Sequence, residues 1–212
     1  LRLEGNSGEA VALKHFLPIA EEHGLLGQID RWVILNAIKS IAARARAGKP
    51  VTLLVKISQA SLLDEAMPVF IAEQLAEHNA SGASLLLQVP ESKVFINLRA
   101  AQVFAAAVGK LDCKMVLEQF GAGLDSFQLL AHFVPGFVKI DRSFIDELPK
   151  NSANQQRVRE LAQKAREHHI QSIAEFVQDA ASMSVLFSCG VDYAEGDFLA
   201  MAGPDMNYDF DN

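Results

Sequence analysis

Apolar residues follow two spacings along this chain. In one they stand on consecutive positions over short runs, at residues 51–57, 84–89, 114–117, 136–140, 171–174 and 191–194. Such runs, bounded by turn residues, predict strands buried on both faces. In the other they fall at helical spacing, which predicts helices over residues 28–47, 65–78, 93–108, 127–132, 154–168 and 178–187. The first of these puts Trp32, Leu35, Ile38 and Ala42 on one face and stops at Gly48-Lys49-Pro50. A shorter amphipathic stretch over 13–22 precedes it and is expected to break near Pro18. Leu1-Arg2-Leu3 reads as the end of one more strand, followed by a turn at Gly5-Asn6-Ser7-Gly8.

Strand and helix alternate every ~20–35 residues, the βα signature of a parallel sheet. With the fragment at Leu1 the count is seven strands, which fits a doubly wound sheet or a (β/α)8 barrel short of one strand. No GxGxxG or GxxxxGK[ST] follows an early strand, which disfavours the nucleotide-binding doubly wound folds. No linker or shift in composition divides the chain, so a single domain over residues 1–212 is expected. Leu1 stands inside a strand pattern with no turn before it, and the chain is expected to be a piece of something longer.

Composition narrows the function classes. Half of the 212 residues are hydrophobic and 21% are charged, enough apolar content for a packed core and too much for a disordered chain. The net charge of −7 leaves no basic footprint for duplex nucleic acid. No apolar run reaches the roughly 18 residues of a membrane span. Cys113 and Cys189 lie far apart without CxxC spacing and read as reduced thiols. His168-His169 has no metal-site context, and Arg44, Arg46 and Lys49 read as complements to a helix C-terminus.

In barrels, chemistry gathers where strands end. Those positions hold Lys56, then Gln88 and Glu91, Glu118 and Gln119, Lys139 and Asp141, Glu175, and Glu195-Gly196. A ring of long polar side chains at successive strand ends reads either as a site or as salt bridges closing a barrel end.

The order of these pieces carries a resemblance. Phe16-Leu17-Pro18-Ile19-Ala20-Glu21, Ile29-Asp30-Arg31-Trp32-Val33, Phe120-Gly121-Ala122-Gly123, Lys139-Ile140-Asp141-Arg142-Ser143-Phe144-Ile145, and Glu195-Gly196 with Gly203-Pro204 follow one another along nearly the whole chain. In that sequence they resemble the EAL domain family, cyclic-di-GMP phosphodiesterases and their inactive relatives. The resemblance implies a modified (β/α)8 TIM-like barrel of the EAL type. Its first strand, with the Glu of the naming motif, is expected upstream of residue 1.

Active members of the family hold two divalent metals, and the resemblance maps their ligand positions onto this chain. Lys56 stands for an Asn, Gln88 for a Glu, Glu118-Gln119 for an Asp pair, and Gln178 for the last Glu of a further motif. Lys139 matches the lysine that assists the attacking water. Glu118 and Glu175 keep negative charge while Lys56 and Lys139 are positive, so these four sum to zero. An ammonium about 4 Å from a 2+ ion repels it by roughly 8 kcal/mol at an effective dielectric of about 20. The expectation is therefore no catalytic Mg or Mn, and Lys56 and Lys139 paired with Glu118 and Glu175.

Ligand-binding features survive better. The resemblance gives Arg2, between Leu1 and Leu3, a phosphate of cyclic-di-GMP. It gives Asp30 the N1 and N2 donors of a guanine edge, and Phe16, Leu17 and Pro18 an apolar wall against a purine. Phe176 replaces a family Gly beside Glu175, and its ring is suited to stacking on guanine. Glu195 replaces a family Gln next to Gly196, while Gly203-Pro204 is expected to edge the second base. These departures resemble most a branch of inactive receptors that regulate type IV pili. That likeness implies a PilZ-type adaptor as partner and, through it, a pilus ATPase, in the bacterial cytoplasm with the cell pole as a candidate location. A weakly active metal-dependent phosphodiesterase and a nucleotide-free interaction scaffold are the alternatives.

Overall fold

The computed structural model describes residues 3–4, 10–123, 125–201 and 203. Its elements begin with strands β1 (Leu3–Glu4) and β2 (Ala10–Val11), then helices α1 (Leu13–Glu22) and α2 (Leu26–Arg46). There follow β3 (Leu53–Lys56), α3 (Gln59–Leu62), α4 (Met67–His78), β4 (Leu85–Pro90), α5 (Glu91–Ile96) and α6 (Leu98–Gly109). The remainder is β5 (Lys114–Phe120), α7 (Ser126–His132), β6 (Phe137–Ile140), α8 (Ser152–Glu167), β7 (Gln171–Ala174), α9 (Ala180–Cys189) and β8 (Tyr193–Ala194). The residues gather into two compact units, Leu1–Leu87 with Ala106–Cys113, and Gln88–Ala105 with Lys114–Asn212.

In the first unit, α2 packs against α1, α3, α4 and β3. Its buried face is Ile34, Ala37, Ile38, Ile41 and Ala42, at the 3–4 spacing of an amphipathic helix. Trp32, expected on that face, is 55% exposed, because the β-branched series from Ile34 carries the stripe and the ring falls beside it. The break expected at Pro18 does not occur: α1 runs through it. Pro18 and Lys14 both lie exposed, so the carbonyl freed by the missing N–H faces water rather than a packed interior. Leu3 pairs antiparallel with Val11, so the first strand belongs to a two-stranded hairpin and not to the parallel series.

In the second unit, β5, β6, β7 and β8 pair in parallel in chain order. Val116, Leu117, Val138, Ile140 and Ala174 are fully buried along them, and α8 covers β6 and β7 with Val158, Leu161 and Ala165. Two boundaries differ from the pattern. The helix expected over 93–108 is interrupted at Asn97, whose side-chain amide donates to the Lys93 carbonyl. Strand β5 continues to Phe120 instead of ending at Leu117, with a register shift between those two residues. Glu118 and Gln119 therefore sit inside that irregular strand end, Glu118 buried and Gln119 exposed at φ 56°.

Candidate functional site

The second unit assembles a charged cluster by register alone. Ala174 pairs with Ala194 in the parallel ladder, so the next residues, Glu175 and Glu195, leave β7 and β8 side by side. Lys139 on neighbouring β6 is only 6% exposed. Its Nζ lies 2.6 Å from Glu195 Oε1 and 3.5 Å from Glu175 Oε2. Burial by itself disfavours the ammonium. The Glu195 hydrogen bond and the charges of Glu195, Glu175 and Glu118 outweigh it and hold the Lys139 pKa above its ordinary value. Glu175 moves the same way: burial raises its pKa, and the Glu195 charge adds to that against the pull of Lys139. The pairing of Lys139 with Glu175 was legible in the sequence. Glu195 as its shorter partner was not, although an acid in place of an amide beside a buried lysine is the signal that points to it.

A group whose folded pKa is raised stabilises the fold fully below its unfolded value and loses that contribution as pH climbs through the folded value. Lys139 thus gives the parent chain an alkaline loss of stability that begins near pH 10.5. Lys139→Met is expected to lack that step. Urea midpoints compared between pH 8 and 11 check it, and parallel pH profiles for parent and variant would contradict it.

The other positions mapped from the sequence are distributed. Gln88 carries a buried Oε1 that has no hydrogen-bond partner among the described residues. Gln119 lines an apolar hollow of about 340 Å³ with Glu91, Phe95 and Ile96. Glu91 is buried there, its Oε2 accepts from the Gly121 N–H at 3.1 Å, and burial raises its pKa. Gln178 lines a polar hollow of about 820 Å³ with Arg142, Asp146 and Asn154. Among the described residues no group of three or more His, Cys, Asp or Glu is arranged to hold a metal ion.

Beside the cluster stands Phe176, at φ 61° and 42% exposed. The Arg142 guanidinium lies over its ring, 4.2 Å from the centroid. The backbone here is stitched to the β8 exit: Glu195 N–H donates to the Ala174 carbonyl, Val177 N–H to the Glu195 carbonyl, and Phe198 N–H to the Val177 carbonyl. Gly196 makes that approach possible, since a β-carbon there would overlap the Val177 backbone.

In the first unit Asp30 is 7% exposed. Its Oδ2 accepts from Ser58 N at 2.7 Å, Ser58 Oγ at 2.6 Å and Ser61 Oγ at 2.6 Å. The carboxylate that the sequence assigns to guanine thus also ties α2 to the start of α3. Phe16 and Leu17 are half-buried and Lys56 is exposed. Arg31 forms a 2.7 Å salt bridge with Asp64 and lies over the Phe70 ring at 4.9 Å, a tether the sequence reading missed. Leu1, Arg2 and Pro204 lie outside the described residues; Leu3 is described through its backbone, and Gly203 is exposed.

Among the described residues no helix is long and apolar enough to cross a membrane. The chain matches cyclic di-GMP phosphodiesterase PdeF of Escherichia coli at 30% identity over 205 residues, 96% of this chain and 27% of that protein. It matches the signaling protein YkoW of Bacillus subtilis at 26% identity over 99% of this chain and 26% of that protein, so it spans about a quarter of these relatives. Its structure is similar to the crystal structure of the Xanthomonas citri FimX EAL domain in complex with c-diGMP, with a TM-score of 0.94 and 52% identity over 99% of this chain and 82% of that one. For the Pseudomonas aeruginosa FimX EAL domain bound to c-di-GMP the TM-score is 0.91 and the identity 33%, over 99% of this chain and 84% of that one. These likenesses establish the α/β TIM-like barrel class that the family resemblance implied, which the βα repeat alone had left open beside a doubly wound sheet. The EAL domain model matches residues 1–202, and this chain belongs to the EAL domain family.

Proposed function

We propose that this chain is a degenerate EAL domain that binds cyclic-di-GMP without hydrolysing it and passes the ligand's presence to a protein partner. The observation that carries this reading is the Lys139 ammonium seated between Glu175 and Glu195, at 3.5 and 2.6 Å. The two carboxylates that converge here already have a cation. Active relatives carry the same lysine; one departure is Glu195, an acid in place of a family Gln, which takes the ammonium at 2.6 Å. The other is Lys56 in place of a metal-ligating Asn, where an ammonium about 4 Å from a 2+ ion repels it by roughly 8 kcal/mol at an effective dielectric of about 20. Gln88, Gln119 and Gln178 are neutral amides at positions where active relatives need charge. The residues present do not fit a two-metal centre. Within the second unit the nucleotide is assigned to Glu175, Phe176, Glu195 and Gly196, with a guanine stacked on the Phe176 ring.

Similarity to FimX EAL domains in complex with c-di-GMP supports the ligand. The same likeness motivates the finer reading: a receptor in type IV pilus regulation and twitching motility, working in the cytoplasm through a PilZ-type adaptor and a pilus ATPase. On this reading the described residues form one degenerate EAL domain. Calorimetric titration with cyclic-di-GMP in EDTA, and again in Mg²⁺ or Mn²⁺, tests the proposal. The expected result is equal affinity in all three buffers and intact ligand recovered afterwards. Metal-dependent cleavage to the linear dinucleotide would favour the weakly active phosphodiesterase, and absence of binding in every buffer would favour the scaffold.

A further inference from the structure

We infer that Arg142 is a positioning residue for the nucleotide base: it holds the Phe176 ring as a stacking platform, and Asp146 in turn holds Arg142. The inference rests on the proposed cyclic-di-GMP reading and adds a residue that the reading does not contain.

The Phe176 arrangement runs against stability in two ways. A phenylalanine at φ 61° occupies the left-handed region that L-residues disfavour by about 1–2 kcal/mol. The residue is also 42% exposed, so it recovers only part of the burial an aromatic usually gains. Backbone outliers that persist against such penalties cluster where a ligand is held. What fixes the ring is visible. The guanidinium carbon of Arg142 sits 4.2 Å from the ring centroid, well inside cation–π range. Arg142 Nε donates to both carboxylate oxygens of Asp146, at 3.2 and 3.4 Å, one helical turn along the chain. The segment carrying Arg142 is itself pinned, because Asp141 Oδ1 accepts from the Ser143 N–H at 2.9 Å and from its Oγ at 2.6 Å. A chain of fixed groups therefore runs from Asp146 through Arg142 to the ring. A flat ring held in one orientation suits a planar base; an aliphatic partner surface would need neither the plane nor the guanidinium behind it.

The test is a double-mutant cycle on the 212-residue chain, titrating cyclic-di-GMP in a calorimeter against the parent, Arg142→Ala, Phe176→Gly and the double variant. Glycine suits φ 61°, so Phe176→Gly is expected to keep its fold. With Phe176 present, Arg142→Ala is expected to weaken binding about 5-fold, in keeping with a partly exposed cation–π contact. With Phe176→Gly, the same change is expected to alter affinity by less than about 2-fold, because the group it positions is gone. Arg142→Lys keeps the charge and loses the planar stack, and is expected to side with Arg142→Ala. It also carries the cycle if the alanine variant fails to fold. Equal losses in both backgrounds, or full affinity in Arg142→Lys, would overturn the inference while leaving the parent's ligand intact. A parent chain that binds no cyclic-di-GMP would overturn the function reading instead.

Discussion

Asp30→Asn is expected to lower the stability of the fold by about 2–4 kcal/mol, read as a shift of the urea midpoint at neutral pH. One oxygen of this buried carboxylate accepts from Ser58 N, Ser58 Oγ and Ser61 Oγ, all within 2.7 Å. Hydrogen bonds to a charged acceptor contribute about 1.5–3 kcal/mol each, and they do not add in full when they share one atom. Asparagine keeps a neutral acceptor but removes the charge, so all three bonds weaken together. Asp30→Ala should be worse, since it leaves three donors facing a void. The experiment separates two roles for the residue. A contact made only to guanine would abolish affinity and leave the urea midpoint in place. The expected outcome is a fall in both, and an unchanged midpoint in Asp30→Asn would show that the serine tether contributes little.

Gly196→Ala is expected to be more damaging than its size suggests, lowering stability by about 3 kcal/mol or more, the range of overlaps that cannot relax. The glycine has φ 155° and an added β-carbon would meet the backbone N, C and O of Val177. Those atoms are held by two hydrogen bonds, Val177 N–H to the Glu195 carbonyl and Phe198 N–H to the Val177 carbonyl. No flexible side chain stands in the way to yield. Relief requires the β7 and β8 exits to separate, which also pulls Glu195 away from Lys139. A melting curve within a degree or two of the parent would mean that these exits spread freely and that the Lys139 cluster is less rigid than its distances imply.

The parts of the molecule legible in the sequence are those set by local period. Runs such as Leu-Leu-Leu-Gln-Val-Pro at β4 and Phe-Val-Lys-Ile at β6 declare buried strands. The order of motif blocks then fixes the barrel type. What escaped the reading depends on contacts distant in sequence. The Trp32 face was misplaced because helical spacing admits neighbouring stripes, and packing chooses between them. The partner of Lys139 was only half identified, since ladder register, not residue type, brings Glu195 alongside Glu175. The Asp30 tether was invisible because a carboxylate poised for a ligand and one bound to serines read alike. Gln119 escaped for a backbone reason: a register shift in β5 turns it outward, away from its neighbour Glu118.

The lysine pincer has a consequence for how such sequences drift. Deleting Glu175 weakens the hold on a buried cation, and deleting Lys139 leaves two adjoining anions. Glutamine at 195, which the family pattern carries beside the same lysine, would leave Lys139 paired with Glu175 and remove the second anion, so position 195 is free to vary alone while Lys139 and Glu175 are bound to each other.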